Sequence, residues 1–103
     1  MKVIFEKITE TAKIPAYAHP TDSGMDLYAD VDTIIPAGER KIISTGVRIK
    51  LPENTEGQVR SKSGLALKNG LMVLNSPGTI DTNYRGEIQA VSYTHLTLPT
   101  IRL

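Results

Sequence analysis

The 103-residue chain contains no cysteine and no tryptophan, and only one phenylalanine. Without cysteine there is no disulfide framework, no thiol nucleophile and no thiolate site for zinc or an iron–sulfur cluster. Neither sign of charge is in excess: 12 Lys and Arg stand against 11 Asp and Glu, a formal net charge of +1. Dedicated binders of nucleic acid or of anionic membrane surfaces carry a basic excess that neutralises phosphates, so neither is an expected partner. No apolar run approaches the ~18 residues of a membrane span. Glu6 and Glu10 interrupt the opening MKVIFEKITE, which therefore does not read as a signal peptide. The cytoplasm is the expected address.

What is present suits one β-rich domain. Ile, Val, Leu and Phe make up 27 of 103 residues, above the roughly 20% below which chains tend to be disordered. Ile, Val and Thr total 28 against 7 Ala, and β-branched side chains fit a pleated surface better than a helix. A chain this small leaves much of its surface exposed, so an oligomer would help its core.

Val3, Phe5 and Lys7 alternate with Lys2, Ile4 and Glu6 as a first strand. Pro15, Pro20 and Gly24 punctuate a loop, Met25–Ala29 is a short strand candidate, and Asp30–Asp32 an acidic turn. Thr33–Ile35 and Arg40–Ser44 flank a turn at Pro36-Ala37-Gly38. Val47, Ile49 and Leu51 alternate with Arg48 and Lys50, the clearest period-2 pattern of the chain. Pro52–Thr55 turns and Glu56–Arg60 returns. Residues 63–68 (SGLALK) form a helical turn too short to stand alone. Asn69-Gly70 reads as a hairpin turn. Leu71–Leu74 is an apolar strand, and Arg85–Val91 closes the set with Ile88 as a core residue. Met25 and Met72 read as core fillers, and His19 and His95 as surface residues. Short strands broken by Gly and Pro predict an all-β fold, an antiparallel sandwich or barrel.

Residues 91–103 (VSYTHLTLPTIRL) differ in kind, holding one charge, Arg102, while the first 90 residues hold the other 22. The string resembles the translation of a sequencing-library adapter, which makes 91–103 a non-native tail on a 1–90 domain. The other reading is a Thr-rich edge strand over Val91–Leu98.

Three segments could carry chemistry. Asp22-Ser23-Gly24-Met25-Asp26-Leu27 bears two carboxylates but lacks the further oxygen ligands and distant Glu of an EF-hand, and taken alone fits a turn capped by Asp and Ser better. Arg60-Ser61-Lys62-Ser63-Gly64-Leu65-Ala66 combines cations, hydroxyls and a glycine ahead of a helical turn. These are components of an anion site, or of a solvated basic turn. Asn75 to Glu87 (NSPGTIDTNYRGE) places an amide, a carboxylate and an aromatic ring close together. A carboxylate beside an apolar side chain can hold and deprotonate a water, and an amide can read a base edge. The bland alternative is a Gly/Pro turn capped by Asp.

In this order and spacing the segments resemble the first three motifs of the trimeric deoxyuridine triphosphate nucleotidohydrolases (dUTPases), over about Val3 to Ala90. The resemblance implies a distorted β jelly roll, a homotrimer with shared active sites, and Mg²⁺-dependent hydrolysis of dUTP to dUMP and pyrophosphate. By position, Asp81 resembles the aspartate that deprotonates the water attacking the α-phosphorus. Tyr84 resembles the tyrosine packed under the deoxyribose, where a 2′-hydroxyl would clash. Asn75 resembles the uracil reader, beside the substrate-binding Gly78, Thr79 and Ile80; cytosine would be refused by its amine and thymine by its methyl. Lys62, Ser63 and Gly64 resemble the phosphate-contacting second motif, and Asp26 the first-motif aspartate that acts on the metal through water. Mg²⁺ keeps several waters and takes phosphate oxygens, so few protein ligands are expected.

Two departures stand out. Lys62 occupies the place of an arginine, keeping the charge and losing the bidentate fork; Arg60 could substitute. The fourth and fifth motifs have no counterpart after Ala90, so this chain is expected to be weak or inactive beside an intact parent. A dCTP deaminase resembles the same fold and part of the third motif, but wants a glutamate near Val91. A non-catalytic nucleotide-binding trimer is the third reading.

Overall fold

The computed structural model describes residues 2–94 and 100–102. Its strands are β1 (Ile4–Lys7), β2 (Ile34–Pro36), β3 (Arg40–Ser44), β4 (Val47–Lys50) and β5 (Gly57–Val59). A single described helix, α1 (Ser63–Asn69), precedes β6 (Leu71–Val73), β7 (Gly78–Ile80), β8 (Gln89–Thr94) and β9 (Thr100–Arg102). The class is all-β, as the β-branched composition predicts, and no described helix is long and apolar enough to cross a membrane.

All described strand pairs are antiparallel. β1 pairs with β4, with Phe5 opposite Ile49. β5 pairs with β7, with Val59 opposite Gly78. β8 lies between β3 and β6, and β2 pairs with β9. The alternation read in β4 is realised directly: Val47 and Ile49 are buried while Arg48 and Lys50 are exposed. Val47 and Ile49 pack with Ala12, Val59 and Ile88, and Phe5, Leu51 and Ile80 close around them. A second cluster holds Ile35, Ile43 and Leu71.

The chain passes from the sheet of β3 to that of β4 through a corner at Thr45-Gly46. Thr45 is buried, and its hydroxyl donates to the Ile88 carbonyl at 2.7 Å. The Gly46 N–H donates to Glu87 Oε2 at 2.8 Å, and its carbonyl accepts the Ile8 N–H at 2.6 Å. Gly46 has φ +70, and a Cβ there would lie 2.6 Å from Thr9 Oγ1 and 2.8 Å from the Ala12 Cβ. Both the left-handed backbone and the close approach require glycine.

Several sequence expectations need correction. Met25–Ala29 is not a strand; only Asp26 makes an isolated bridge, to Ala16, because Gly24 and the acidic turn leave no neighbouring ladder. Met25 is exposed and fills no core. Asn69-Gly70 is not a hairpin turn. Gly70 (φ 61) ends α1, its N–H reaching the carbonyls of Leu65 and Ala66; the same left-handed capacity caps a helix when a helix precedes it. The last core strand begins at Gln89, not Arg85, because Tyr84 and Arg85 tie off a turn (below). β7 was hidden in what reads as loop. Residues Val91–Thr94 continue β8 as a central strand, not an edge; of the remaining tail, residues 95–99 and Leu103, including His95, lie outside the described residues.

Gly46→Ala is expected to lower the unfolding free energy by about 2–4 kcal/mol, combining left-handed strain with overpacking. Urea denaturation followed by far-UV circular dichroism measures it, and an unchanged midpoint would contradict the account of the corner.

Candidate active site

The segment from Asn75 to Glu87 is shaped by hydrogen bonds that its own sequence does not announce. Ser61 holds the end of β6: its hydroxyl accepts the Val73 N–H at 2.9 Å, and the Ser61 N–H reaches Ser76 Oγ at 3.4 Å. The Leu74 N–H donates to the Val91 carbonyl at 2.6 Å. The chain then crosses a cis Ser76–Pro77 bond into β7. Beyond β7, the Tyr84 N–H donates to the Asp81 carbonyl at 3.0 Å, closing a turn. Thr82 Oγ1 donates to the Pro52 carbonyl at 3.0 Å, fastening that turn to the end of β4. Arg85 Nη1 donates to the carbonyls of Thr82 and Tyr84 at 2.8 and 3.0 Å.

These constraints bring Asn75, Gly78, Thr79, Ile80, Asp81 and Tyr84 to one cavity of about 330 Å³, floored by Val59 and Ile88. That volume lies at the small end of the ~300–1,000 Å³ of ligand pockets. The Asp81 carboxylate and the Asn75 amide are exposed and have no hydrogen-bond partner among the described residues. An ionised carboxylate in that state is an acceptor for a water proton, and a free amide offers donors and an acceptor to a base edge. Tyr84 donates its hydroxyl to the Glu87 carbonyl at 2.8 Å, leaving the ring 44% exposed. Glu87 also lines the cavity, but its carboxylate is engaged: Oε2 takes the Gly46 N–H and Oε1 the Gln89 amide at 3.2 Å.

The other two segments meet elsewhere. Lys62 Nζ stands 3.3 Å from Asp26 Oδ1, beside a second cavity of about 380 Å³ that includes Ile43, Leu71, Ala90 and Ser92 in its wall. Among the described residues, Val59 alone is common to the walls of both cavities. Ser63 and Gly64 are exposed at the start of α1 and line neither. α1 opens without a side-chain cap and without an acid in its first turn. The paired hydroxyls read in the second segment therefore part company: Ser61 secures backbone, and Ser63 faces outward. His19 is exposed, 3.4 Å from Asp22.

Among the described residues no group of three or more His, Cys, Asp and Glu could hold a metal ion. A cation that brings most of its shell as water and phosphate oxygen needs no such cage. One free carboxylate, Asp81, fits that requirement. Asp26, whose Oδ1 is paired with Lys62, could serve such a cation only through its other oxygen or through water.

The anchoring roles of Ser61 and Glu87 are not signalled in the segments that contain them. Ser61 and Ser63 look alike in sequence, and nothing local separates a hydroxyl that grips a strand from one facing solvent.

A sequence profile of the dUTPase family matches residues 10–100. The chain is 57% identical over 88 residues to a deoxyuridine 5′-triphosphate nucleotidohydrolase of Clostridium tetani, covering 85% of this chain and 61% of that protein. It is 50% identical over 95 residues to that of Crocosphaera subtropica, covering 92% and 67%. Among solved structures, a mutant dUTPase of phage phi11 of S. aureus, described with its coordination of a structural Mg(II) ion, superposes with a TM-score of 0.84 at 26% identity, over 92% of this chain and 61% of that one. The Staphylococcus bacteriophage 80alpha dUTPase with dUPNHPP gives 0.84 at 26%, over 91% and 54%. The chain thus spans about three-fifths of the length of the first curated relatives it matches. A profile match over most of the sequence, close relatives and a shared jelly-roll fold agree: the chain belongs to the dUTPase family.

Proposed function

We propose that the protein to which this chain belongs hydrolyses dUTP to dUMP and pyrophosphate. The reading rests above all on the convergence of Asn75, Asp81 and Tyr84 on one cavity. Asn75 presents its free amide to the uracil edge, and Tyr84 lies under the deoxyribose. Asp81 orients a water and takes its proton as the water oxygen bonds to the α-phosphorus; the bond from that phosphorus to the α,β-bridging oxygen breaks, and pyrophosphate leaves. Mg²⁺, when bound, neutralises phosphate charge that would otherwise repel the incoming oxygen. Lys62, Ser63 and Gly64 contact the phosphates, with Asp26 holding Lys62 in place.

The separation of the Asp81 cavity from the Lys62–Asp26 pair within one chain favours a site shared between copies, as the homotrimer reading requires. A cytoplasmic address, where nucleoside triphosphates are made and used, accompanies it. The deaminase reading is disfavoured because Val91, not a carboxylate, lines the cavity at the expected slot. The free Asp81 carboxylate speaks against a merely binding trimer.

Calorimetric titration of the chain with a non-hydrolysable dUTP analogue and Mg²⁺ is expected to show binding, with the corresponding dCTP analogue rejected. Absence of binding, or equal affinity for both, would overturn the reading. Asp81→Asn should lower whatever pyrophosphate release the unsubstituted chain shows by about 10²-fold or more, with analogue affinity retained. Asn75→Ala should erase the preference of uracil over cytosine, read as the ratio of dUMP to dCMP dissociation constants.

A further inference from the structure

Gly86 immediately follows the Tyr84-Arg85 turn, and its lack of a side chain has a specific neighbour. A Cβ built there would lie 2.5 Å from the Tyr84 hydroxyl oxygen, 2.7 Å from Cζ and 3.0 Å from Cε1. Side chains do not approach so closely, so the phenol rests directly against the bare backbone of residue 86. Gly86 is not among the positive-φ glycines, so the chain conformation alone would accept alanine. What position 86 provides is room for one ring.

The same phenol end of the ring is also held by a hydrogen bond. Its hydroxyl donates to the Glu87 carbonyl at 2.8 Å, and Glu87 is itself anchored through its carboxylate to the Gly46 N–H and the Gln89 amide. A methyl group at 86 would push the phenol off this acceptor and into the cavity or solvent.

We propose that Gly86 is a positioning residue: it seats the Tyr84 phenol between the residue 86 backbone and the Glu87 carbonyl, and so fixes the cavity wall that meets the sugar. The consequence for sugar selection rests on the nucleotide reading above. The seating of the ring does not.

The test is a cycle of Gly86→Ala and Tyr84→Ala, singly and together, in the full chain. With Tyr84 present, Gly86→Ala should lower the melting temperature by about 4 °C and shift the Tyr84 ring resonances, identified by their loss in Tyr84→Ala, while those of Tyr17 and Tyr28 stay put. In the Tyr84→Ala background the same substitution should leave the melting temperature nearly unchanged. An equal loss in both backgrounds, or unmoved Tyr84 resonances, overturns the proposal. Titration with dUMP and UMP gives the functional arm: Gly86→Ala should narrow the preference for the deoxy sugar about tenfold, and an unaltered ratio counts against it. If the unsubstituted chain binds neither nucleotide, the nucleotide reading fails, and the melting cycle alone decides whether Gly86 seats the ring.

Discussion

The corner at Thr45-Gly46 is the constraint on which the rest depends. Within two residues the chain leaves one sheet, enters another, and ties both to the segment that carries the cavity. The Thr45 hydroxyl holds the Ile88 carbonyl and the Gly46 N–H holds the Glu87 carboxylate. Each bond is worth about 1 kcal/mol net, but both lie where a lost partner would leave a polar group without water. The apolar cluster around Val47, Ile49 and Ile88 fills the space that this corner fixes.

Precision at the cavity follows from that anchoring. Glu87 receives the corner's N–H with its side chain and offers its main-chain carbonyl to Tyr84, so the ring is referenced to the core and not merely to its own loop. Thr82 and Arg85 do the same for the turn after Asp81, fastening it to Pro52 and to itself. The functional groups themselves, Asp81 and Asn75, stay uncommitted. Rigid surroundings around free polar groups are what a reactive site requires.

Much of this was legible in the sequence. The strand content, the period-2 face of β4 and the burial of Ile88 follow from side-chain shape and alternation. The clustering of Asn75, Asp81 and Tyr84 was readable because the three fall within ten residues of one segment, even though β7 runs between the first two. The failures share a cause: local chemistry permits more than one use. Gly70 supplies a left-handed residue, and only the tertiary choice of a helix before it made that a cap. Ser61 and Ser63 are the same residue type two positions apart, and their division between structure and surface depends on where β6 packs. Gly86 carries no local signal, because what it accommodates is another residue's ring.

β8 carries one more implication. Gln89 and Val91 face the first cavity, whereas Ala90 and Ser92 face the second, so this one strand serves as a partition whose two surfaces are written on alternate letters. A slip of a single residue against β3 would exchange the linings wholesale, presenting each hollow with the other's side chains while every backbone ladder bond could still form. Chemical identity on both sides of the wall is therefore a property of registration, held by the contacts at Ile88 and Glu87 just ahead of the strand.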